Sequence, residues 1–145
     1  MFFDKYKNKR GLGKGAFGQV YLVEDQQGKE YAMKLISKAA IQKEPYLVEY
    51  LDGEIECMKT MDCPYIIKLY ETLSDNDYIY LLLEFCDGGD LVGYQGDLKE
   101  KVYSLDKATF FLADVIKGLE YLHAKGYLHR DLKLQNVLRS TIGGN

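Results

Sequence analysis

The hydrophobic pattern of this chain changes its period along the sequence, and this change restricts the fold more than any other feature. Apolar and polar residues alternate over 19–24 and 31–36, and strand-like runs return over 66–73 and 78–85. Alternation with period two is typical of strands that bury one face, and the turn-forming residues 26–29 connect the first two runs. We therefore expect an antiparallel sheet of five strands in the first part of the chain.

A stretch of helical periodicity lies between these strand-like runs. Pro45 precedes a stripe of residues three or four apart, namely Leu47, Leu51, Glu54, Met58 and Met61. Such a stripe predicts one helix packed on the sheet, with Glu54 facing inward. A carboxylate in that position needs a partner. Ordinary surface exposure of Glu54 is the alternative.

Two adjacent glycines mark a boundary in the chain. The sequence Asp87-Gly88-Gly89-Asp90 ends the strand pattern and offers the backbone freedom that a connection between two lobes requires. Beyond it, the apolar residues of 108–123 cover an arc of roughly 140° on a helical wheel, following a predicted cap at Ser104. The chain thus divides into residues 1–86, which contain the sheet, and residues 87–145, which are helical. The expected fold class is α+β.

Composition excludes several classes of protein. The chain has 145 residues, of which 47% are apolar and only 2 are proline, and this profile is typical of a folded globular segment. The net charge of −3 offers no basic surface for nucleic acid or an anionic membrane. No apolar run is long enough for a signal peptide or a membrane span. Because Cys57, Cys63 and Cys86 contain no CxxC pair, we expect free thiols and a cytoplasmic location.

The run His129-Arg130-Asp131-Leu132-Lys133-Leu134-Gln135-Asn136 combines a carboxylate, an ammonium group and an amide at fixed spacing. Asp131 could accept the proton of an attacking hydroxyl, and Lys133 could neutralise charge on a transferred phosphoryl group. Asn136 offers a neutral oxygen to a hard cation such as Mg²⁺. A charged turn after a helix is the alternative. The spacing of all three groups favours phosphoryl transfer.

A glycine-rich motif precedes this run. Residues 13–20, Gly-Lys-Gly-Ala-Phe-Gly-Gln-Val, fit the pattern GxGxxGxV, in which backbone amides can close over phosphate oxygens. Three glycines in a tight hairpin are the structural alternative. A dinucleotide-binding loop would lead into a helix, whereas residues 19–24 continue as a strand. The context therefore favours a phosphate-binding loop between two strands.

Together these motifs resemble those of the Ser/Thr protein kinases. Residues 129–136 are similar to the catalytic loop of that family, residues 13–20 to its glycine loop, and residues 31–34 to the strand that carries its ATP-binding lysine. A lysine two places after the loop aspartate, here Lys133 after Asp131, resembles the Ser/Thr kinases rather than the tyrosine kinases. The resemblance covers nearly the whole chain. It implies a complete five-stranded small lobe with one helix, followed by the first part of a helical large lobe.

The resemblance also implies a role for each residue. Lys34 and Glu54 would form an ion pair that positions ATP, and Asp131 would be the catalytic base. Lys133 would steady the phosphate, and Asn136 would hold Mg²⁺. The implied nucleotide contacts are the backbones of Glu84 and Cys86, with Leu83 behind the adenine, the glycines Gly13, Gly15 and Gly18, and the apolar residues Leu12, Val20, Ala32 and Leu138.

The implied function is transfer of the γ-phosphate of ATP to a serine or threonine hydroxyl of a protein substrate, with ATP and Mg²⁺ as cofactors. In this family an Asp-Phe-Gly motif follows the loop asparagine after about a dozen residues or more, whereas this chain ends nine residues after Asn136. We therefore expect a truncated kinase domain. A catalytically silent nucleotide-binding or scaffold module, and a fragment that needs a partner to fold, are the alternatives. Within the family, the sequence Gly-Gly-Asp-Leu at 88–91 and the glutamine before the loop asparagine, Gln135, are similar to those of the autophagy-initiating kinases.

Overall fold

The computed structural model describes residues 4–15 and 18–141, which form two compact units. The first, the sheet unit, contains the described residues up to Met61 together with Ile67–Phe85. The second, the helical unit, contains Asp62–Ile66 together with the described residues from Cys86 onward. The α+β class expected from the sequence is confirmed.

The sheet unit is built on five antiparallel strands in the order β1-β2-β3-β5-β4. Strand β3 lies in the centre, and each of its side-chain rows therefore contacts a different layer of the unit. The predicted five-stranded sheet is confirmed. The strands are β1 (Lys7–Gly15), β2 (Gly18–Glu24), β3 (Glu30–Ser37), β4 (Leu69–Ser74) and β5 (Tyr78–Glu84).

Two turns of the sheet, the predicted one at residues 26–29 and the one between β4 and β5, owe their shape to an aspartate. In the β2–β3 turn, Asp25 Oδ1 accepts hydrogen bonds from the amides of Gln27 and Lys29, both at 2.9 Å. Gly28 has a φ of 83° there, a conformation that glycine adopts without strain. Asp75 has the same function in the β4–β5 turn, where its Oδ1 accepts from two backbone amides at 2.8 Å. These bonds satisfy turn amides that have no partner in the sheet.

One layer of the sheet unit is helical. The short helix α1 (Lys38–Ile41) follows β3 directly and was not expected, whereas the predicted helix is present as α2 (Pro45–Lys59). Pro45 occupies the first turn, where its missing N–H costs no hydrogen bond. The core between the helices and the sheet consists of Ile36, Ile41, Leu51, Ile55, Leu69 and Leu81.

The opposite face of the sheet carries a second core, rich in tyrosine. It consists of Tyr6, Val23, Met33, Tyr80 and Leu82. The hydroxyl of Tyr6 donates a 2.7 Å hydrogen bond to Glu71 of β4. Burial, assisted by that carboxylate, raises the pKa of Tyr6 well above its ordinary value. This contact holds the residue before β1 against the far edge of the sheet.

The helical unit contains α3 (Leu91–Asp97), α4 (Leu105–Ala124) and a 3₁₀ turn, Leu134–Asn136. The predicted cap at Ser104 is confirmed, since its side chain accepts a hydrogen bond from the Lys107 amide. Much of the predicted apolar arc of α4 is exposed, including Leu112 and Ile116. In the part of the chain that the structure describes, no helix is both long and apolar enough to cross a membrane.

At Gly18 the fold leaves no space for a side chain. A Cβ atom at Gly18 would overlap the carbonyl oxygen of Leu35 and lie 2.8 Å from its carbonyl carbon. Because both groups are backbone, neither can rotate away. We predict that Gly18→Ala lowers the free energy of unfolding by about 1–3 kcal/mol, as measured by urea denaturation.

Gly11→Ala is the matched control for this substitution. A Cβ atom at Gly11, on the neighbouring strand β1, would meet nothing within 4 Å. We expect its effect to stay within about 0.5 kcal/mol. Equal effects of the two substitutions would show that the contact with Leu35 does not limit position 18.

Candidate active site

The structure brings together the three groups predicted to carry the chemistry. Asn136 Nδ2 donates hydrogen bonds to the carbonyl oxygen of Asp131 at 2.8 Å and to its Oδ2 at 3.2 Å. Lys133 Nζ lies 3.2 Å from the same Oδ2. One carboxylate oxygen is therefore held between an amide and an ammonium group, within six residues of chain.

The backbone before Asp131 is bent to present this carboxylate. Arg130 has a φ of 64°, in the left-handed region that non-glycine residues seldom adopt. The amide of Asp131 donates to His129 Nδ1 at 3.2 Å. Unfavourable backbone conformations of this kind are concentrated at functional sites. The Asp131 side chain remains 67% exposed, so a substrate hydroxyl could reach it.

Electrostatics keep this carboxylate ionised. The hydrogen bond from Lys133 lowers the pKa of Asp131 below its ordinary value, and the ammonium charge and Asn136 act in the same direction. A group that accepts a proton in a reaction must be unprotonated when the substrate arrives. The local contacts of Asp131 satisfy that requirement.

Asn136 also fits the predicted metal role. Its Nδ2 is used by Asp131, and its Oδ1 is therefore the atom that could coordinate a cation. Within residues 4–15 and 18–141, no cluster of three or more His, Cys, Asp or Glu side chains could hold a metal ion. Mg²⁺ is commonly bound by one or two protein oxygens together with substrate phosphates and water. A single amide oxygen is compatible with that type of binding.

In the sheet unit, the strand register aligns the predicted nucleotide-binding residues. Val20 pairs with Lys34 and Lys34 with Leu81, while Ala32 pairs with Leu83. Directly paired residues share a face of the sheet, as do residues two apart on one strand. Val20, Ala32, Lys34 and Leu83 therefore lie on one face, the face that also packs against α2.

The glycine motif forms the β1–β2 hairpin. Gly13 pairs with Val20, Gly15 pairs with Gly18, and Leu12 falls at an irregularity in the register of β1. Ala16 and Phe17, which belong to the predicted motif, lie outside the described residues. Among the described residues, added Cβ atoms at Gly13 and Gly15 would meet no atom closer than 3.8 Å. This spacing is compatible with the approach of a phosphate group.

The inward orientation predicted for Glu54 is wrong, because the structure exposes this side chain. The buried positions of α2 are Leu51 and Ile55, flanked by Leu47 and Met58. At 100° per residue, Glu54 lies roughly 60° from the middle of that arc, at its edge. In the described ranges, Lys34 makes no salt bridge with Glu54. The predicted ion pair is therefore not formed in this structure.

The remaining predicted residues fall in both units. In the sheet unit, the Glu84 amide donates to the carbonyl oxygen of Lys68 at 2.9 Å, so of its two backbone groups only the carbonyl could bind a ligand. In the helical unit, the carbonyl oxygen of Cys86 accepts from the Gly89 amide at 3.3 Å. Leu138 forms an antiparallel bridge with Asp90 in the same unit.

Arg139, the residue after Leu138, was not identified from the sequence. Its guanidinium group donates to the carbonyl oxygen of Gly88 at 3.0 Å and stacks on Tyr94, with Cζ 3.6 Å from the ring centre. An arginine directly after the apolar pair Val137-Leu138 was the available signal. Its partners lie more than 40 residues earlier, and spacing alone could not indicate them.

Comparison with known proteins agrees with this geometry. Residues 6–143 match the family described as protein kinase domain. The match covers nearly all of the chain and includes every predicted site residue. This chain belongs to the protein kinase family.

The curated relatives include two that are named as serine/threonine-protein kinases. The chain is 35% identical over 136 residues to serine/threonine-protein kinase cot-1 of Neurospora crassa, covering 93% of this chain and 22% of that protein. It is 39% identical over 137 residues to serine/threonine-protein kinase nrc-2 of the same organism, covering 94% and 21%. It is 41% identical over 136 residues to calcium-dependent protein kinase 5 of Plasmodium falciparum, covering 93% and 22%. The chain thus spans about a fifth of the length of these relatives.

The contact between Lys133 and Asp131 can be tested by titration. We predict that Lys133→Met raises the pKa of the Asp131 carboxyl toward its ordinary value, because the substitution removes the hydrogen bond that favours the ionised form. Carbon-detected NMR of the aspartate carboxyls across acidic pH measures this change. Lys133→Arg, which keeps a cationic donor, should retain the lowered pKa. An unchanged pKa in Lys133→Met would contradict the assigned cause.

Proposed function

We propose that the protein carrying this chain is a serine/threonine protein kinase, which transfers the γ-phosphate of ATP to a serine or threonine hydroxyl of a protein substrate. The observation that supports this most directly is the geometry of the catalytic loop. Asp131, Lys133 and Asn136 are in mutual contact there through one carboxylate. Family membership and the names of the relatives point to the same activity.

Each group of the loop has one task in this reaction. Asp131 accepts the proton of the substrate hydroxyl as the hydroxyl oxygen bonds to the γ-phosphorus, while the bond from that phosphorus to the oxygen of the β-phosphate breaks and ADP leaves. The lowered pKa of Asp131 keeps its carboxylate unprotonated for this step. Lys133 lies beside the same oxygen and neutralises charge on the transferred group. Asn136 Nδ2 keeps Asp131 oriented, and its Oδ1 could coordinate a cation. Bound Mg²⁺ would neutralise phosphate charge during transfer.

The nucleotide is expected to bind through the sheet unit. Lys34 supplies a positive charge between its paired neighbours Val20 and Leu81, and the β1–β2 hairpin supplies backbone amides. Val20, Ala32 and Leu83 provide an apolar surface for the purine. The ion pair with Glu54 would require the carboxylate to turn inward from the position it has here.

Neither alternative is favoured. A catalytically silent module would not need the base, the lysine and the asparagine of the loop to remain in contact, as they do here. The two cores and the continuous sheet support a folded chain rather than a fragment that needs a partner to fold. We also propose a cytoplasmic location, which the thiols of Cys57 and Cys63, neither of them in a disulfide, support.

Nucleotide binding by the chain is the first test. We predict that Mg²⁺ and ATP raise its melting temperature and that Lys34→Ala abolishes the increase, because a ligand that binds only the folded state stabilises it. At 100 times the Kd the stabilisation is about 2.7 kcal/mol. Lys59→Ala is the matched control, since among the described residues the Lys59 side chain forms an ion pair only with the exposed Glu56. A response in Lys34→Ala equal to that of the wild type would contradict the assigned role.

Phosphate transfer is the second test. In the protein that carries this chain, Asp131→Asn should lower kcat by at least about 100-fold, the usual contribution of a positioned general base. Transfer of radiolabelled phosphate from ATP to serine- and threonine-containing peptides measures this loss. The substitution should leave ATP binding close to wild type, because Asp131 is not among the proposed nucleotide contacts. Unchanged transfer would overturn the proposed mechanism.

A further inference from the structure

The helical unit contains a backbone ladder between two segments that are far apart in sequence. We call residues 86–91 the connecting segment and residues 137–141 the return segment. Amides of the connecting segment donate to the return segment at 2.9 Å, from Gly88 to Arg139 and from Leu91 to Val137. The Arg139 amide donates back to Gly89 at 2.7 Å. The two segments therefore form a short antiparallel pair, and Leu138 lies at its centre, opposite Asp90.

The side chain of Arg139 fastens this ladder to α3. Its Cζ lies 3.6 Å from the centre of the Tyr94 ring, and its Nη2 donates to the Gly88 carbonyl oxygen at 3.0 Å. Arginine stacks well on an aromatic ring because its guanidinium group is planar and weakly hydrated. In the described part of the chain, the buried Nε of Arg139 has no hydrogen-bond partner. The stacking therefore compensates for a donor that is left unsatisfied.

Tyr94 is itself held in place by its neighbours. Its ring lies 5.9 Å from Tyr103 and 6.0 Å from Phe111, measured between ring centres. Lys107 Nζ donates to the Tyr94 hydroxyl at 2.9 Å. The hydroxyl of Tyr103 donates to the carbonyl oxygen of Leu91, at the end of the connecting segment. The ring on which Arg139 stacks is thus in contact with three further side chains, Tyr103, Lys107 and Phe111.

The ladder also lacks space for adjustment. A Cβ atom added at Gly88 would lie 2.8 Å from the Cβ of Arg139 and 3.0 Å from its carbonyl oxygen. The two backbones are therefore as close as they can be. A displacement of Arg139 moves the backbone of Leu138, because the two residues are adjacent and share the same pairing.

We propose that Arg139 is a positioning residue for nucleotide binding: by stacking on Tyr94 it fixes the return segment and thereby the position of Leu138. This inference rests on the proposed function and on the purine contact that the family resemblance implies for Leu138. Arg139 itself is not assigned a contact with nucleotide. The aromatic cluster of Tyr94, Tyr103 and Phe111 then contributes to nucleotide affinity through the arginine, without touching the ligand.

The test compares variants that remove the stacking of Arg139 on Tyr94 with a control variant that removes a different stacking contact in the helical unit. Arg139→Met and Tyr94→Leu each remove the stacking, whereas Tyr94→Phe keeps the ring and loses only the hydroxyl. Lys117→Met is the control, because Lys117 stacks on Tyr65 at 4.9 Å and has no bond to the return segment. Isothermal titration with Mg²⁺ and ATP, well below the melting temperature, measures affinity separately from stability.

We expect Arg139→Met and Tyr94→Leu to weaken ATP binding by about three- to tenfold each. The double variant should bind about as weakly as either single variant, because both substitutions remove one contact. Tyr94→Phe and Lys117→Met should stay within about twofold of wild type. Wild-type affinity in Arg139→Met would overturn the inference. An equal loss in Lys117→Met would also overturn it, since the effect would then reflect general destabilisation.

A measurement without nucleotide separates this inference from the proposed function. Hydrogen–deuterium exchange of residues 86–91 and 137–141 reports the ladder directly. We expect faster exchange of both segments in Arg139→Met and wild-type exchange in Lys117→Met. Unchanged exchange in Arg139→Met would overturn the positioning role, whether or not the chain binds ATP. Absence of ATP binding by the wild type would overturn the proposed function and the nucleotide consequence of this inference, while faster exchange would still assign the ladder to Arg139.

Discussion

The register of β3 between β2 and β5 is the constraint on which the sheet unit depends. Ile36 of β3 packs toward α2, whereas Met33 of the same strand enters the tyrosine-rich core on the other face. Lys34 lies on the face of Ile36 because side chains two apart point the same way. A slip of one residue would send Lys34 into the tyrosine-rich core. The burial of both faces therefore determines the face on which a nucleotide phosphate could meet a lysine.

The catalytic loop depends on a different kind of constraint. Asp131, Lys133 and Asn136 contact one another directly, and their contacts close within six residues. Such a loop needs little from the rest of the fold beyond its two anchoring ends. The backbone ladder between the connecting segment and the return segment supplies one of these anchors. Hydrogen bonds within the loop thus set the geometry of its reactive groups, and hydrogen bonds between distant segments fix the end of the loop.

Much of the fold and of the site could be predicted from the sequence, and the exceptions have physical causes. The turns at Asp25 and Asp75 depend on bonds to amides two to four residues away, and such bonds follow from spacing. Glu54 was placed wrongly because a helical wheel identifies an arc and not its edges, which the neighbouring sheet determines. Arg139 was missed because the ring on which it stacks lies on α3, far away in sequence.

By itself, the sequence determined the five strands, the helices α2 and α4 and the turn at residues 26–29, because each depends on periodicity or on groups a few residues apart. Tertiary structure alone decided that Glu54 lies exposed at the edge of the apolar arc of α2. It also decided that Gly18 lies against the backbone of Leu35 and that Arg139 stacks on Tyr94. These three depend on distances between segments that the chain connects only through long loops or whole elements. Such distances are set by how cores pack, and packing depends on all the buried residues at once.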